Sequence, residues 1–598
     1  MQLLNCLFLC ASLSNITAAE DPGDHDETQT PFLPQCSSIS KSSCEPFHRT
    51  VLDVGPDMSV SEAIERARRM PHPVTLRFAE GLYRLEKPLV LTSADSGMVL
   101  EAASGADVCL SGGFRLEGWE RNADGTWSTY VQPRAPFRQL TVNGMRAIRC
   151  QEPNDGTLLM AGETVAFDSS RSLHSAGPGR HPDMVYDPRD IDFAKLKDLT
   201  TGEIRVFHWW IDSHLKIGRV DDESNRIVFA RPADFYVGYM HAGKRPCRYR
   251  AENFREFLDK PGEWFLDEHS GRIDYLPRPG EDPSSSSFEA VAAHLHELVR
   301  LEGGSALTQS RIENVVFRNL CFRDADAALP LGDVNSQQGA VTVPAAIVMS
   351  GVRDCRFEGC TFEALDGYAI DLLSGCRNNA VIGCDFHDLG GGAVRMNGGE
   401  VGAHPAELTR CNAVMDCEIR NYGLDWASSC AVLVRHAGEN LIAHNWIHDG
   451  FYTAISLGWC WGYGDSVARG NIVEFNLVEN IGKGLLNDMG GVYTLGLMPG
   501  AVIRNNIVRG IRRWSYGGHA LYNDQGTQGL LVENNLFYDA PDVYNIHYGR
   551  EIVVRNNIFA CGGDFLFHGG VPEAHVTAYV YGNIFWLFVH DCGYSFAA

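Results

Sequence analysis

Beyond Leu13 this 598-residue chain has no apolar run long enough for a membrane-spanning helix. Positive charge is also scarce: 51 Lys and Arg face 75 Asp and Glu, and the formal charge of −24 makes a phosphate backbone a poor partner. The same charge weighs mildly against polyanionic substrates such as pectate or alginate, unless a local basic cleft overrides it. No CxxC pair and no His/Cys cluster stands at zinc-ligand spacing, so neither a structural metal nor a cofactor is expected. Disorder is not the default either, because 44% of residues are hydrophobic and only 21% charged. What the chain does have is glycine, 61 residues of it, which suits a fold made of turns.

The apolar run Leu3 to Leu13, followed by Ala18-Ala19 and an acidic stretch, resembles a secretory signal over residues 1–19, although Lys and Arg are missing before it. The expected location is extracellular or periplasmic. Residues 20–46, rich in Asp, Ser, Thr and Pro, read as a flexible lead. Of the 18 cysteines, Cys6 and Cys10 fall in the leader, and Cys36 and Cys44 lie in the lead, where a local disulfide can form. Most others sit at repeat positions, as small buried thiols.

The C-terminal half repeats one phrase, Asn, one residue, then a large apolar residue. It occurs at Asn445-Trp446-Ile447, Asn476-Leu477-Val478, Asn506-Ile507-Val508, Asn535-Leu536-Phe537, Asn557-Ile558-Phe559 and Asn583-Ile584-Phe585. Intervals of 31, 30, 29, 22 and 26 residues are the coil lengths of a solenoid. Cys417, Cys384, Cys360 and Leu320 hold the same slot upstream. An amide side chain can donate to one coil and accept from the other, and asparagine tolerates the left-handed backbone of a tight bend. The pattern predicts an all-β fold, a parallel β-helix, right-handed by the general preference for such crossovers.

Ser59-Val60-Ser61-Glu62 is a capping box, and Ala63 to Met70 reads as a short helix closing the N-terminal end. The cap and first coils occupy residues 47–113. An antiparallel β-domain interrupts them over 114–252, signalled by alternating segments such as Arg226-Ile227-Val228-Phe229, and the main helix fills 253–598. After the Asn583 coil no polar cap is evident, so the last residues are expected to fold over the open end, or the helix is shorter than its relatives.

A β-helix has no interior cavity, so chemistry belongs on an outer face walled by long turns. The most irregular coils carry Gly458-Trp459-Cys460-Trp461-Gly462-Tyr463-Gly464-Asp465, Asn487-Asp488-Met489-Gly490-Gly491 and Tyr522-Asn523-Asp524-Gln525-Gly526. Trp459, Trp461 and Tyr463 offer flat faces for a sugar ring, and Asp488 and Asp524 are candidate catalytic carboxylates on neighbouring coils. By spacing alone a turn-forming role is the likelier reading of each Asp. His547, Tyr548 and Arg550 fall on the next coil as candidate substrate contacts. Tyr452 and Asp465 join that set, Asp465 with the alternative of clamping the Trp loop, while His448 and Asp449 are weaker candidates.

The strings Asn487 to Gly496, Pro499 to Asn506 and Gly458 to Asp465, with Gly262-Glu263-Trp264-Phe265-Leu266-Asp267 and Val343-Pro344-Ala345-Ala346-Ile347 upstream, resemble β-helix enzymes of glycoside hydrolase family 141. The resemblance runs from about Val51 to Phe559. It implies a glycosidase of α-L-fucosidase or xylanase type, and its catalytic aspartates correspond to Asp488 and Asp524. Gln525 stands where that pattern has Glu, Asn545 where it has His, and the coils after Phe559 diverge. Three functions follow as expectations. One is a secreted hydrolase of a plant or algal polysaccharide or its side chains. Another is a polysaccharide lyase or uronate epimerase, which commonly needs a Lys, Arg, His or Tyr base and often calcium. The third is a non-catalytic carbohydrate-binding β-helix. Each takes a polysaccharide or oligosaccharide partner and no nucleic acid; oligomeric state is left open.

Overall fold

The structure is a computed structural model that describes residues 49–131, 137–162, 181–238, 245–304, 310–327 and 336–587. The leader, the lead with Cys36 and Cys44, and residues 588–598 lie outside the described residues. The fold is the expected parallel β-helix, in which each coil adds a strand to successive parallel sheets. The first sheet runs from Thr50–Val54 through Val74–Phe78, Val99–Ala102 and Val316–Arg318 to Ala578–Tyr581. The second includes Val108–Ser111, Cys321–Ala325, Thr361–Leu365 and Ile507–Ile511. The third includes Leu89–Leu91, Val299–Glu302, Ile455–Gly458, Met489–Leu495 and Gly518–Asn523, and it carries the candidate site.

Strand alternation sends every second side chain inward, and in-register parallel pairing stacks like on like. Val473, Ile503, Val532 and Val554 form one such column. Phe322, Phe362 and Phe386 form another, with ring centroids 5.1 and 4.7 Å apart, the spacing of adjacent strands. These columns are one continuous buried core. At the N-terminal end, helix α1 (Val60–Ala67) starts earlier than expected, with the Ser59 side chain accepting from the Glu62 amide at 3.2 Å. Its buried face, Val60, Ala63, Ile64 and Ala67, covers the first coil.

The asparagine ladder is present. From Asn445 to Asn583 each side-chain amide donates to the next asparagine's Oδ1 at 2.9–3.0 Å. Each Oδ1 accepts from the main-chain N–H of the coil before as well. The left-handed residue is not the ladder asparagine but the one before it: His444, Phe475, Asn505, Asn534 and Asn556 have φ of 55–58°. That bend turns the following side chain into the coil, where its amide meets its neighbours. A second ladder, Asn379, Asn412, Asn440 and Asn471, runs along another corner with amide contacts of 3.0–3.2 Å.

The insertion is larger than the sequence suggests and shifts the boundary expected at 252. Glu263–Leu266 and Arg272–Tyr275 form an antiparallel hairpin. Ala290–Ala293 pairs antiparallel with both Gly113–Arg115 and Leu140–Val142. Helix strands resume at Val299–Glu302, beside Leu89–Leu91. Cys109 and Cys321, 212 residues apart, are direct register partners, so the insertion opens between adjacent rungs without breaking the stack. It folds back on the third sheet: the Asn487 amide donates to Trp209 O at 2.8 Å, and Arg248 donates to the carbonyls of Gly484 and Leu485. The segment leading into Asp488 is thereby fixed from outside the helix.

Candidate active site

On the third sheet Val492 and Leu521 point into the core, so their successors Tyr493 and Tyr522 point out. These two are register partners, with rings edge to face at 5.3 Å. Both are nearly inaccessible, at 3% and 4% exposure, and pack with Leu495. Asp524 directly follows the strand Gly518–Asn523 and is tied by its amide to Thr494 O at 2.8 Å. Its carboxylate accepts from Tyr493 Oη at 2.6 Å and Tyr522 Oη at 3.2 Å, and contacts His547 Nδ1 at 2.8 Å. Those contacts make the carboxyl group a hydrogen-bond acceptor on both oxygens. The bond to Asp524 raises the His547 pKa above its ordinary value.

Asp488 immediately precedes the strand Met489–Leu495, with a left-handed φ of 56°. Its carbonyl accepts from Tyr452 Oη at 2.9 Å, and its amide faces Tyr516 O at 3.4 Å. Asn487 Oδ1 accepts from the amides of Ser515 and Tyr516 at 2.7 and 3.2 Å, locking the segment beneath. Gly517 is needed there, since a Cβ would lie 2.9 Å from Asp488 Cα. Burial, then the nearby Asp524 charge, pushes the Asp488 carboxyl up to about 7, against the opposing effects of Tyr522 and His547. The Tyr522 hydroxyl thus interacts with both carboxyl groups. Burial followed by these carboxylates raises Tyr452, Tyr493, Tyr516 and Tyr522 well above the usual phenol range, which keeps all four as neutral donors.

The other expected contacts divide. His547, Tyr548 and Tyr463 form an edge-to-face chain leading from Asp524, with centroids 5.3 and 5.9 Å apart. Arg550 lies 4.5 Å over the Tyr463 ring, and Tyr463 Oη donates to Glu573. Trp461 is 53% exposed beside them, and Asp465 is exposed too. Trp459 and Tyr452, by contrast, are core residues at 4% and 2% exposure, packed with Phe207 and Leu486. The turn at Gly458, with φ 107° and no room for a Cβ beside Leu495 O, directs Trp459 inward, where its Nε1 donates to Ser456 at 3.0 Å. Neither presents a face to a sugar. His448 and Asp449 bond each other at 2.7 Å next to the second sheet and belong to another side of the helix. Tyr493, Tyr516, Tyr522 and Glu573 are absent from the sequence-based set. Tyr493 and Tyr522 had a signal, standing 17 and 16 residues after Asn476 and Asn506.

The group best placed to hold a metal among the described residues is Glu203, His214 and Glu252, in the insertion. Glu203 is already held by Arg138 and Arg149 at 2.8 and 2.7 Å, and His214 contacts it at 3.0 Å. Two guanidinium charges make this a buried ion-pair network and a poor cation site.

A family model described as a right-handed β-helix region matches residues 345–485. No curated protein matches the chain. Among solved structures, one described as a glycoside hydrolase superposes with a TM-score of 0.70 at 20% identity, covering 90% of this chain and 96% of the other. The complex of XylC with xylose aligns at 0.48 and 14% identity over 90% and 86% of the two chains. The tailspike protein of E. coli bacteriophage HK620 with a pentasaccharide aligns at 0.33 and 14% over 48% and 50%. The first of these shares the fold.

Proposed function

We propose that the chain is a secreted glycoside hydrolase with Asp488 as general acid and Asp524 as the second carboxyl group, acting on a plant or algal polysaccharide or its side chains. The observation that carries this reading is two carboxyl groups meeting at one tyrosine hydroxyl in opposite environments, Asp488 raised to about 7 and Asp524 accepting tyrosine and histidine bonds. Environments that push a pair apart are what acid and base roles require. Asp488 protonates the glycosidic oxygen as the C–O bond breaks. Asp524 either attacks the anomeric carbon, giving a glycosyl ester that water then cleaves, or takes a proton from water as that water attacks. His547 orients and charge-balances Asp524. The sequence likeness to family 141 and the fold of the superposed glycoside hydrolase support this assignment, and fucosidase- or xylanase-type specificity is its finer form. A lyase reading is less favoured, because raised phenol pKa values leave the tyrosines poor bases.

A glycan-array hydrolysis screen with product-anomer analysis tests reaction class, sugar and stereochemistry together. Reducing ends with one anomer in excess are expected; unsaturated products absorbing in the ultraviolet, or none, would sink the proposal.

The Asp488 pKa gives the pH dependence. The acid form is lost as pH rises through about 7, so kcat/KM should decline on that limb. Stability moves the same way. A carboxyl group raised from 3.8 to about 7 binds its proton more tightly when folded, so folding gains nothing from it below 3.8, loses stability as pH climbs between the two values, and carries the full penalty above. Asp488→Asn should therefore melt higher than the parent protein at pH 8, with the difference shrinking towards pH 4. Equal melting gaps at both values would rule out the buried proton.

A further inference from the structure

Arginines along the helix are generally held by acids on adjacent rungs: Arg318 by Glu358 at 2.9 Å, Arg504 by Glu474 at 2.6 Å, Arg395 by Asp371 at 2.5 Å. Arg435 and Arg550 depart from this. Both are part-buried, and neither side chain makes a hydrogen bond or ion pair among the described residues; the Nε of each is buried without a partner. Each instead lies over a ring of the Gly458–Asp465 loop, Arg435 at 5.8 Å from the Trp459 centroid and Arg550 at 4.5 Å from that of Tyr463.

Their places along the helix are related to Asp524, Arg435 on the third sheet and Arg550 where its coil enters the first sheet, paired with Gln528. Arg435 pairs with Gly458, Gly458 with Leu495, and Leu495 lies beside Asp524 in the register set by Thr494 and Asn523. Three rungs put Arg435 roughly 14 Å away towards the N-terminal end, at about 4.8 Å per rung. Arg550 follows His547 by three residues, on the coil beyond Asp524. One unpaired guanidinium therefore stands on each side of the carboxyl pair along the helix axis. Partial dehydration of a cation without a directly bonded counter-charge is costly, and burial together with Arg395 lowers the Arg435 pKa against the opposing charge of Asp371, which is itself paired with Arg395. Guanidinium forks match carboxylate and sulfate oxygens bidentately.

We propose that Arg435 and Arg550 are anion subsites flanking Asp488 and Asp524, so that the substrate is an acidic glycan bearing uronate carboxylates or sulfate esters. This rests on the carbohydrate reading of the site. The overall charge of −24 repels a densely charged polymer, which leaves glycans with acidic groups at intervals as the class that fits.

The test is binding by the Asp524→Asn protein to matched probes: glucuronoxylan oligosaccharides against their carboxyl-reduced forms, and sulfated galactan oligosaccharides against desulfated ones. The acidic member of one pair should bind at least about tenfold tighter, and Arg435→Gln and Arg550→Gln should each remove most of that margin. The two pairs distinguish carboxylate from sulfate. Arg435→Lys and Arg550→Lys, which keep the charge and lose the fork, should fall between, and they serve if a glutamine variant fails to fold by circular dichroism. Exposed Arg69→Gln should change nothing. Equal binding within both pairs, or a preference that survives both glutamine variants, would overturn the subsites. Preference for the acidic member without release of reducing ends by the parent protein would uphold the subsites and count against the hydrolase instead.

Discussion

Asp524→Asn and Asp488→Asn are each expected to lower kcat by about 10²–10⁴-fold or more, the loss that follows removal of a positioned acid, base or nucleophile. The two losses should differ in kind. Without Asp488 the leaving oxygen is not protonated, so aryl glycosides with acidic phenol leaving groups should be hydrolysed far better than natural linkages. Without Asp524 no leaving group helps, because the group that reacts at the anomeric carbon or its water is gone. Asp524→Asn also removes the charge that raises the Asp488 pKa, so that pKa should fall. Circular dichroism should be unchanged in both, since asparagine keeps the side-chain shape. Full activity in either variant would remove that residue from the mechanism.

Asn506→Leu should be the most damaging single change to the scaffold. Asn506 donates to Asn535 Oδ1 and to the carbonyls of Val473 and Arg504 at 2.9 Å, and its Oδ1 accepts from both amides of Asn476 at 3.0 Å. Leucine fills the space and satisfies none of these. Each buried group left unpaired costs about 1–3 kcal/mol, so a loss of roughly 3 kcal/mol or more is expected. Asn506→Cys should cost less. Cysteine already holds this slot at Cys360, Cys384 and Cys417, where the Cys417 thiol contacts Met415 O at 3.1 Å and its amide still reaches Asn445 Oδ1 at 3.0 Å. Denaturant melts of the two variants check the order; a leucine variant as stable as the cysteine variant would mean the ladder is decoration on an apolar core.

Much of the scaffold is legible because a solenoid repeats its local chemistry. One phrase, Asn-x-apolar, identifies the coil, and the same phrase marks the second ladder at Asn379-Ala-Val, Asn412-Ala-Val, Asn440-Leu-Ile and Asn471-Ile-Val. The two registers stand five residues apart in a coil, as Asn440 and Asn445 or Asn471 and Asn476 do, so each marks its own corner. The ends of the insertion are harder. Glu263–Leu266 and Ala290–Ala293 are short apolar strands, and nothing in an apolar strand says whether its partner runs parallel or antiparallel.

At the site the aspartates stand out as carboxylates beside glycine on successive coils, and His547, Tyr548 and Arg550 follow from counting coils. Trp459 misleads for a physical reason. Aromatic rings between glycines look like a binding wall, yet the positive φ of Gly458 turns this one into the core, while Trp461 two residues later remains exposed. Tyr493 and Tyr522 read as ordinary strand residues until the register pairs them and aims both hydroxyls at Asp524.

The sequence by itself determined the coil, its repeat length, its ladders and the chemical types available on the irregular turns, because these depend on contacts between equivalent positions of adjacent coils. Tertiary structure alone decided that the Asp488 carboxyl is desolvated beside Asp524, which aromatics stay exposed and which are core, and that the Arg435 and Arg550 side chains have no ion pair among the described residues. Those properties depend on burial and on groups brought from the insertion and from coils apart, and desolvation is set by everything packed around a residue rather than by its neighbours in the chain.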